Sequence, residues 1–264
     1  MRICDVDITE INYDAGRPSH TLEMIDLGHC DYPFKGKMSL DQIFRFRAVH
    51  KKFLSLLRLH EALSEKESIM LGFCSPWQRN FPIEESVKDV TYSTYSLHDY
   101  HFLAESFVFD IRRFFETHLH LMQIIIHRGK KSNSESFPDA IDPDDLGALI
   151  RNRESRELQK TLSLCFFDDQ DTEDRTLDYL GLINCLGNAM RHHALFSDAF
   201  NLLGHGTPTL VGYEFNNKKN NSKIRPGARF HNHNIFHLMM GFQDTSQKII
   251  ARSKRQLHPQ SNAE

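Results

Sequence analysis

The sequence has few of the features that assign a protein to a membrane or to a common enzyme class. Its five cysteines include no C-x-x-C pair, which argues against a disulfide framework and a thiolate zinc site. No apolar run approaches the roughly 20 residues that cross a bilayer. The N-terminal segment MRICDVDITE carries acids where a signal peptide needs an apolar stretch. We therefore expect a soluble cytoplasmic protein.

Motifs that would identify a nucleotide-binding or hydrolytic enzyme are also missing. There is no P-loop, no G-x-G-x-x-G and no G-x-S-x-G, so neither a dinucleotide fold nor a serine hydrolase is indicated. The net charge of -3 excludes a uniformly basic nucleic-acid coat, and 40% apolar residues exclude wholesale disorder. What the chain does have is 20 phenylalanines and 16 histidines.

The small net charge conceals a segregation of charge along the chain. Residues 135–178 contain 13 acidic and 5 basic residues, whereas residues 179–264 contain 10 basic and 4 acidic residues and seven histidines. A basic C-terminal third could steer an anion to one face of the protein. Ordinary solvated surfaces of opposite charge give the same pattern, so both interpretations stay open.

Apolar residues spaced three and four apart predict several helices. One is expected after Ser39, whose hydroxyl suits an N-cap. The most regular stripes predict long helices over Ser96–Arg128 and Thr176–Leu203, with Gly204 as a C-terminal cap. The first of these stripes consists of Leu103, Phe107, Ile111, Phe114, His118, Leu121 and Ile125. The prolines and glycine of residues 72–90 predict a connector.

Shorter elements are predicted around these helices. We expect a helix over Pro143–Leu164, another from about Asn234, and a short β-hairpin near residues 209–230. The fold class is therefore mainly α: a helical bundle with a small α+β or irregular N-terminal extension. The predicted divisions are an extension at 1–84, a helical domain at 85–254 and a disordered tail at 255–264.

The first group of residues that could carry chemistry lies in NCLGNAMRHHALF, residues 184–196. Helical spacings of three and four place Asn184, Asn188, Arg191 and His192 on one strip, and His193 lies beside it. A guanidinium binds phosphate in a bidentate manner, and an imidazole exchanges a proton near pH 7. These groups suffice for cleavage of RNA by 2′-hydroxyl attack without a metal. A polar helix turn that holds its neighbours by hydrogen bonds is the alternative.

A long amphipathic helix followed by a helix with N-x-x-x-H-H resembles the HEPN superfamily, over about residues 90–205. The resemblance implies a small helical bundle. It also implies a metal-independent ribonuclease, often dimeric, of a defence or toxin–antitoxin system. The family motif places Arg, often followed by Asn, four to six residues before a catalytic His. Asn188, His192 and His193 match that pattern, but Gly187 occupies the Arg position and Arg191 is the neighbouring guanidinium.

The second group lies in RFHNHNIFHLMMGF, residues 229–242. His233 and His237 are four residues apart at the expected start of a helix, and His231 precedes them. These three could ligate a metal only with a further ligand, whereas Asn232 or Asn234 could cap the helix. We expect this segment to pack against the 184–196 turn.

The leading prediction is an RNA-binding protein with endoribonuclease activity and no metal or other cofactor. The predicted catalytic residues are Asn188, Arg191, His192 and His193, and the predicted binding residues are Asn184, Arg225, Arg229, His233 and His237. The expected partners are RNA and a second copy or cognate protein, with no membrane. The first alternative is a non-catalytic HEPN-like module that binds a partner or nucleotide in a larger assembly. The second is a metal-dependent hydrolase that uses the three histidines of residues 229–242.

Overall fold

The computed structural model describes residues 7–12, 39–80, 89–92, 95–129, 146–151, 157–167, 179–192, 200–203, 209–220 and 223–257. In chain order the elements are β1 (Asp7–Asn12), α1 (Leu40–Asn80), β2 (Asp89–Tyr92), α2 (Tyr95–Gly129), α3 (Leu146–Arg151), α4 (Glu157–Phe166), α5 (Tyr179–His192), β3 (Phe200–Leu203), β4 (Thr209–Asn220), β5 (Lys223–Asn234) and α6 (Ile235–Leu257). The prediction of a mainly α protein is confirmed. No helix in these ranges is long and apolar enough to cross a membrane.

Two features of the helices are as predicted. Ser39 caps α1 in a reciprocal arrangement: its Oγ accepts from the Gln42 backbone N–H at 3.3 Å, and Gln42 Oε1 accepts from the Ser39 N–H at 2.9 Å. The apolar stripe predicted for Ser96–Arg128 forms the buried face of α2, with only Leu103 partly exposed. The periodic burial explains why α2 forms, because packing of a continuous apolar face lowers the free energy of the folded protein.

Other helix predictions need correction. The expected connector at 72–90 is wrong over 72–80, because α1 continues through Pro76 to Asn80. A proline removes one hydrogen bond without necessarily ending a long helix. The helix predicted over Pro143–Leu164 corresponds to α3 and α4, and residues 143–145 and 152–156 lie outside the described part. Helix α6 reaches Leu257, three residues into the predicted tail, and residues 258–264 are not described.

The helix predicted over Thr176–Leu203 ends early. It stops at His192, and Phe200–Leu203 form strand β3, so Gly204 does not cap it. Strand β3 pairs antiparallel with β2, which supplies main-chain hydrogen-bond partners that a local pattern cannot show. A short apolar run fits a strand as well as a helix, which is why the spacing was misleading here.

The strands form one five-stranded sheet in the order β1-β5-β4-β3-β2. Strand β1 runs parallel to β5, and the other neighbouring pairs are antiparallel. The hairpin predicted near 209–230 is confirmed as β4 and β5, which pair in register from Thr209↔Asn234 to Asn220↔Lys223. The hairpin is therefore longer than predicted, and the sheet around it was not predicted.

The chain divides into two compact units that are not continuous in sequence. The first comprises Met1–Pro18, Leu57–Phe109 and Cys185–Met240, and contains the sheet. The second comprises Ser19–Leu56, Asp110–Asn184 and Gly241–Glu264. Both units take segments from each side of the predicted boundary at 84/85.

The second unit has an aromatic core. Phe242 of α6 lies with its ring centroid 4.8 Å from that of Phe114, 5.7 Å from Phe115 and 6.2 Å from Phe53. His118 lies in the same core, with Phe114 and Phe166 edge-on to its ring at 5.8 Å each. Five of the 20 phenylalanines therefore pack in this core.

The first unit contains a buried polar pair between α1 and α2. The hydroxyl of Tyr100 donates to Glu67 Oε1 at 2.7 Å, and both side chains are buried. Burial raises the pKa of Glu67, and the hydrogen bond from Tyr100 opposes that rise. The pair thus satisfies a carboxyl group that would otherwise be costly to bury.

We expect Tyr100→Phe to lower the free energy of unfolding by about 1–3 kcal/mol, because Glu67 loses this donor while staying buried. Urea denaturation followed by circular dichroism measures the loss. Asp99→Asn is a matched control, because the Lys66–Asp99 ion pair joins the same helices at 3.0 Å with Asp99 exposed. A loss in Tyr100→Phe no larger than the control's contradicts the buried pair's importance.

Candidate functional site

Helix α5 carries four of the predicted site residues. It remains helical through His192, so Asn184, Asn188, Arg191 and His192 keep the spacings of three and four that were predicted. Asn184 and Asn188 are half-buried. Asn184 Oδ1 is buried and accepts no hydrogen bond from the described part of the chain. The side chains of Arg191 and His192, and the whole of His193, lie outside the described residues.

The position at which the resemblance predicts an Arg falls inside α5. Gly187 is buried within that helix. A glycine there provides no side chain for phosphate, so any guanidinium at this helix must come from another position. Arg191 is one turn further along α5 and is the nearest arginine in the helix.

The β4–β5 hairpin carries the other predicted binding residues, and its register sorts them onto two faces. Register partners lie on the same face, and successive residues alternate between faces. Arg225 and Arg229 fall on the face that also contains His231 and His233. The opposite face holds one basic position, Lys219, and is mainly apolar, with Val211, Tyr213, Phe215, Ile224, Pro226, Ala228 and Phe230.

The face with the arginines holds four basic positions. They are Lys218, Lys223, Arg225 and Arg229, and the acidic positions on this face are Glu214, opposite Arg229, and Asp7 of β1, opposite Gly227. Near the tip, Lys218 is the direct register partner of Arg225. Like charges directly opposite one another destabilise a sheet. Strand pairing therefore does not explain why two basic residues are register partners here.

The base of the same face is an imidazole pair. His231 Nδ1 and His233 Nε2 are 3.1 Å apart and share one hydrogen bond, donated by whichever nitrogen carries the proton. Both rings are buried. Burial, and secondarily the neighbouring His231, lowers the pKa of His233 to about 3. His233 is therefore neutral near pH 7 and offers no positive charge to a phosphate.

The junction of β5 and α6 corrects one expectation and confirms another. His233 and His237 are not on one helix, because His233 is in a strand and α6 begins at Ile235. Asn234 caps α6, as one of the two predicted candidates: its Oδ1 accepts from the Phe236 N–H at 2.8 Å and from the His237 N–H at 3.3 Å. His237 is half-buried in the first turn of the helix.

A metal centre finds no support in the segments that the structure describes. They contain no group of three or more His, Cys, Asp or Glu side chains placed to hold an ion. His231 and His233 form a hydrogen bond with each other.

The strand register thus places Arg225, Arg229 and His233 at positions on one hairpin face. The expected packing of residues 229–242 against the 184–196 turn stays a prediction, because His193 lies outside the described residues. Lys218 and Lys223 also occupy the basic face, and neither was predicted as a binding residue. The signal for Lys223 was the period of two in KIRPGARFHNH, where Lys223, Arg225, Arg229, His231 and His233 fall on alternate residues.

Comparison with known proteins adds no relative, since no known protein family, curated protein or solved structure matches the chain.

Proposed function

We propose that this protein binds RNA through the basic face of the β4–β5 hairpin. The observation that carries the proposal is the register pair Lys218↔Arg225, with Lys223 and Arg229 on the same face. Basic positions two residues apart on a strand are spaced by about 7 Å, so consecutive positions can address separate phosphates. The hairpin lies in the basic C-terminal third of the chain, which favours the approach of a polyanion.

The second part of the proposal is cleavage by residues of α5. Arg191 would hold the scissile phosphate, His192 or His193 would act as general base or acid, and Asn188 would orient the histidine or the substrate. The helical spacing of Asn188, Arg191 and His192 supports this part, because it permits all three to address one ligand. The reaction needs only proton transfer and charge stabilisation, so no metal enters the proposal.

A second candidate function is a non-catalytic module that binds RNA or a partner. The buried Gly187 favours it, because the resemblance places the catalytic Arg there. This candidate retains the basic hairpin face and differs only in the absence of cleavage.

Binding is tested by fluorescence anisotropy of a labelled mixed-sequence RNA. We expect Lys218→Gln/Arg225→Gln to bind about tenfold more weakly, since each exposed ion pair contributes up to about 1 kcal/mol. The slope of log K against log salt should fall by about 1.4 for two lost phosphate contacts on a single strand. The same variant should be slightly more stable, because it relieves like-charge repulsion.

Lys248→Gln/Arg255→Gln is the matched control, because it removes two charges from exposed positions of α6. Equal affinity of the hairpin and control variants would contradict hairpin binding.

Cleavage is tested on the same RNA, with and without EDTA, for wild type, His192→Ala and His193→Ala. EDTA-resistant cleavage lost by about 100-fold or more in one variant supports the ribonuclease. Binding without cleavage supports the non-catalytic module, and cleavage that EDTA abolishes supports a metal-dependent hydrolase.

A further inference from the structure

The N-terminal half of α1 has an exposed strip that the proposed function does not use. Leu40, Phe44, Arg47, Lys51 and Leu54 follow one another at steps of four and three, and all five are exposed. At 3.6 residues per turn they lie within about 80° of the helix circumference. Three large apolar side chains remain in solvent here: Leu40 is 69% exposed, Phe44 58% and Leu54 42%.

The strip combines this apolar surface with unbalanced positive charge. Within the described residues, neither Arg47 nor Lys51 forms an ion pair. Among the residues of α1 from Leu40 to Leu54, the one acid is Asp41 in the first turn. A partner that covers the apolar side chains must therefore also supply negative charge.

Charge and spacing select among anionic partners. A second copy docked through the same strip would bring two sets of Arg47 and Lys51 together, which is unfavourable. A membrane-surface helix separates its apolar and basic residues around the circumference. On α1, Arg47 and Lys51 lie between Phe44 and Leu54 on the same line. Insertion of that line into a bilayer would carry the charges with it.

An aromatic ring on the same line as basic residues suits a single-stranded nucleic acid. Proteins that bind single strands combine positive charge along the backbone with aromatic rings on which bases stack. We propose that this strip of α1 binds single-stranded RNA, with a base stacked on Phe44 and phosphates at Arg47 and Lys51. The inference rests on the proposed RNA binding and adds a second surface to it. Leu40 and Leu54 extend the apolar contact on either side.

The test measures anisotropy of a fluorescein-labelled oligouridylate of 20 nucleotides against the full chain. We expect Phe44→Ala to bind about tenfold more weakly, in keeping with the loss of one stacked base. Phe44→Trp should retain wild-type affinity, and the new indole should be quenched as RNA is added. Arg47→Gln/Lys51→Gln should bind about tenfold more weakly, with a salt slope reduced by about 1.4.

Two control variants separate this inference from the hairpin proposal. Lys248→Gln/Arg255→Gln, which removes two exposed charges from α6, should leave the affinity unchanged. If Phe44→Ala and Arg47→Gln/Lys51→Gln bind like that control while Lys218→Gln/Arg225→Gln binds weakly, the strip is overturned and the hairpin proposal stands. The reverse result supports the strip and contradicts the hairpin.

The remaining outcomes also test the strip and the proposed function. No binding of oligouridylate by wild type overturns the strip, and no binding of the mixed-sequence RNA overturns the proposed function. Vesicles containing phosphatidylserine provide the last comparison. Strip variants that lose vesicle binding while retaining RNA affinity would show that the strip recognises a lipid surface, and the inference would be wrong.

Discussion

Replacing Phe242 by alanine is expected to lower the free energy of unfolding by about 3–5 kcal/mol. The side chain is completely buried in the second unit, and its ring packs against the rings of three other phenylalanines. Two of these contacts, to Phe114 and Phe115, are edge-to-face, a geometry that adds about 0.5–1.5 kcal/mol per pair beyond area burial. Truncation therefore leaves a cavity where segments from three helices meet.

Urea denaturation monitored by far-ultraviolet circular dichroism measures this effect. Phe102→Ala is the matched control, because Phe102 is a phenylalanine on α2 that is 70% exposed. We expect the control to change the free energy of unfolding by less than about 0.5 kcal/mol. Phe242→Leu should fall between the two, since it retains part of the buried volume. A loss in Phe242→Ala comparable to that of Phe102→Ala would mean that the aromatic cluster is not the core of this unit.

The faces of the helices could be predicted from sequence, but their partners could not. The apolar stripe of α2 repeats for several turns, so its buried side follows from the period alone. That Phe53, Phe114 and Phe242 meet is a consequence of tertiary packing among α1, α2 and α6, and no local pattern encodes it. The extension of α1 through Pro76 was missed for a related reason, since local breaker residues say nothing about the packing that sustains a helix.

The sheet shows the same limit more severely. Strands β2 and β3 have four residues each, too few for a period of two to stand out from noise. Each exists because the other pairs with it, although they are far apart in the chain. The β4–β5 hairpin was foreseeable because its partners are adjacent in sequence and a polar tip separates them.

Of the candidate site, the sequence supplied the residue types and the structure supplied part of their arrangement. Arg225, Arg229 and His233 were chosen for their chemistry, and the hairpin register places them on one face. The expected helical pairing of His233 with His237 was wrong, because β5 continues to Asn234 before α6 begins. The alternation of basic residues over 223–233 indicates the strand that forms, whereas the spacing of four between His233 and His237 indicated a helix.

The second large effect is a loss of stability in acid that depends on His118. This side chain is completely buried among aromatic rings. Burial lowers its pKa to about 3 from the ordinary value of 6.5. Between these values the folded protein keeps the imidazole neutral while the unfolded chain binds a proton. The unfolded state is therefore stabilised relative to the folded state as the pH falls from about 6.5 to about 3.

The expected slope is about 1.4 kcal/mol of stability lost for each pH unit in this interval. Stability from this source is fully present above pH 6.5. His233 contributes with the same sign, because its pKa is lowered to about 3 as well. Urea denaturation at a series of pH values from 7 to 4 should show the wild type becoming steadily less stable. The carboxylates contribute equally to wild type and to histidine variants, so a comparison between them removes that contribution.

His118→Leu isolates the effect. The variant cannot bind the proton. As the pH falls, its free energy of unfolding should therefore decrease less steeply than that of wild type, by about 1.4 kcal/mol per pH unit. At pH 7 the leucine should be tolerated, since the site has aromatic neighbours at both Phe114 and Phe166. His50→Leu, at an exposed position of α1, controls for the removal of a histidine. Parallel pH profiles for wild type and His118→Leu would show that His118 titrates normally in the folded protein. That result would contradict the prediction that burial keeps its imidazole neutral.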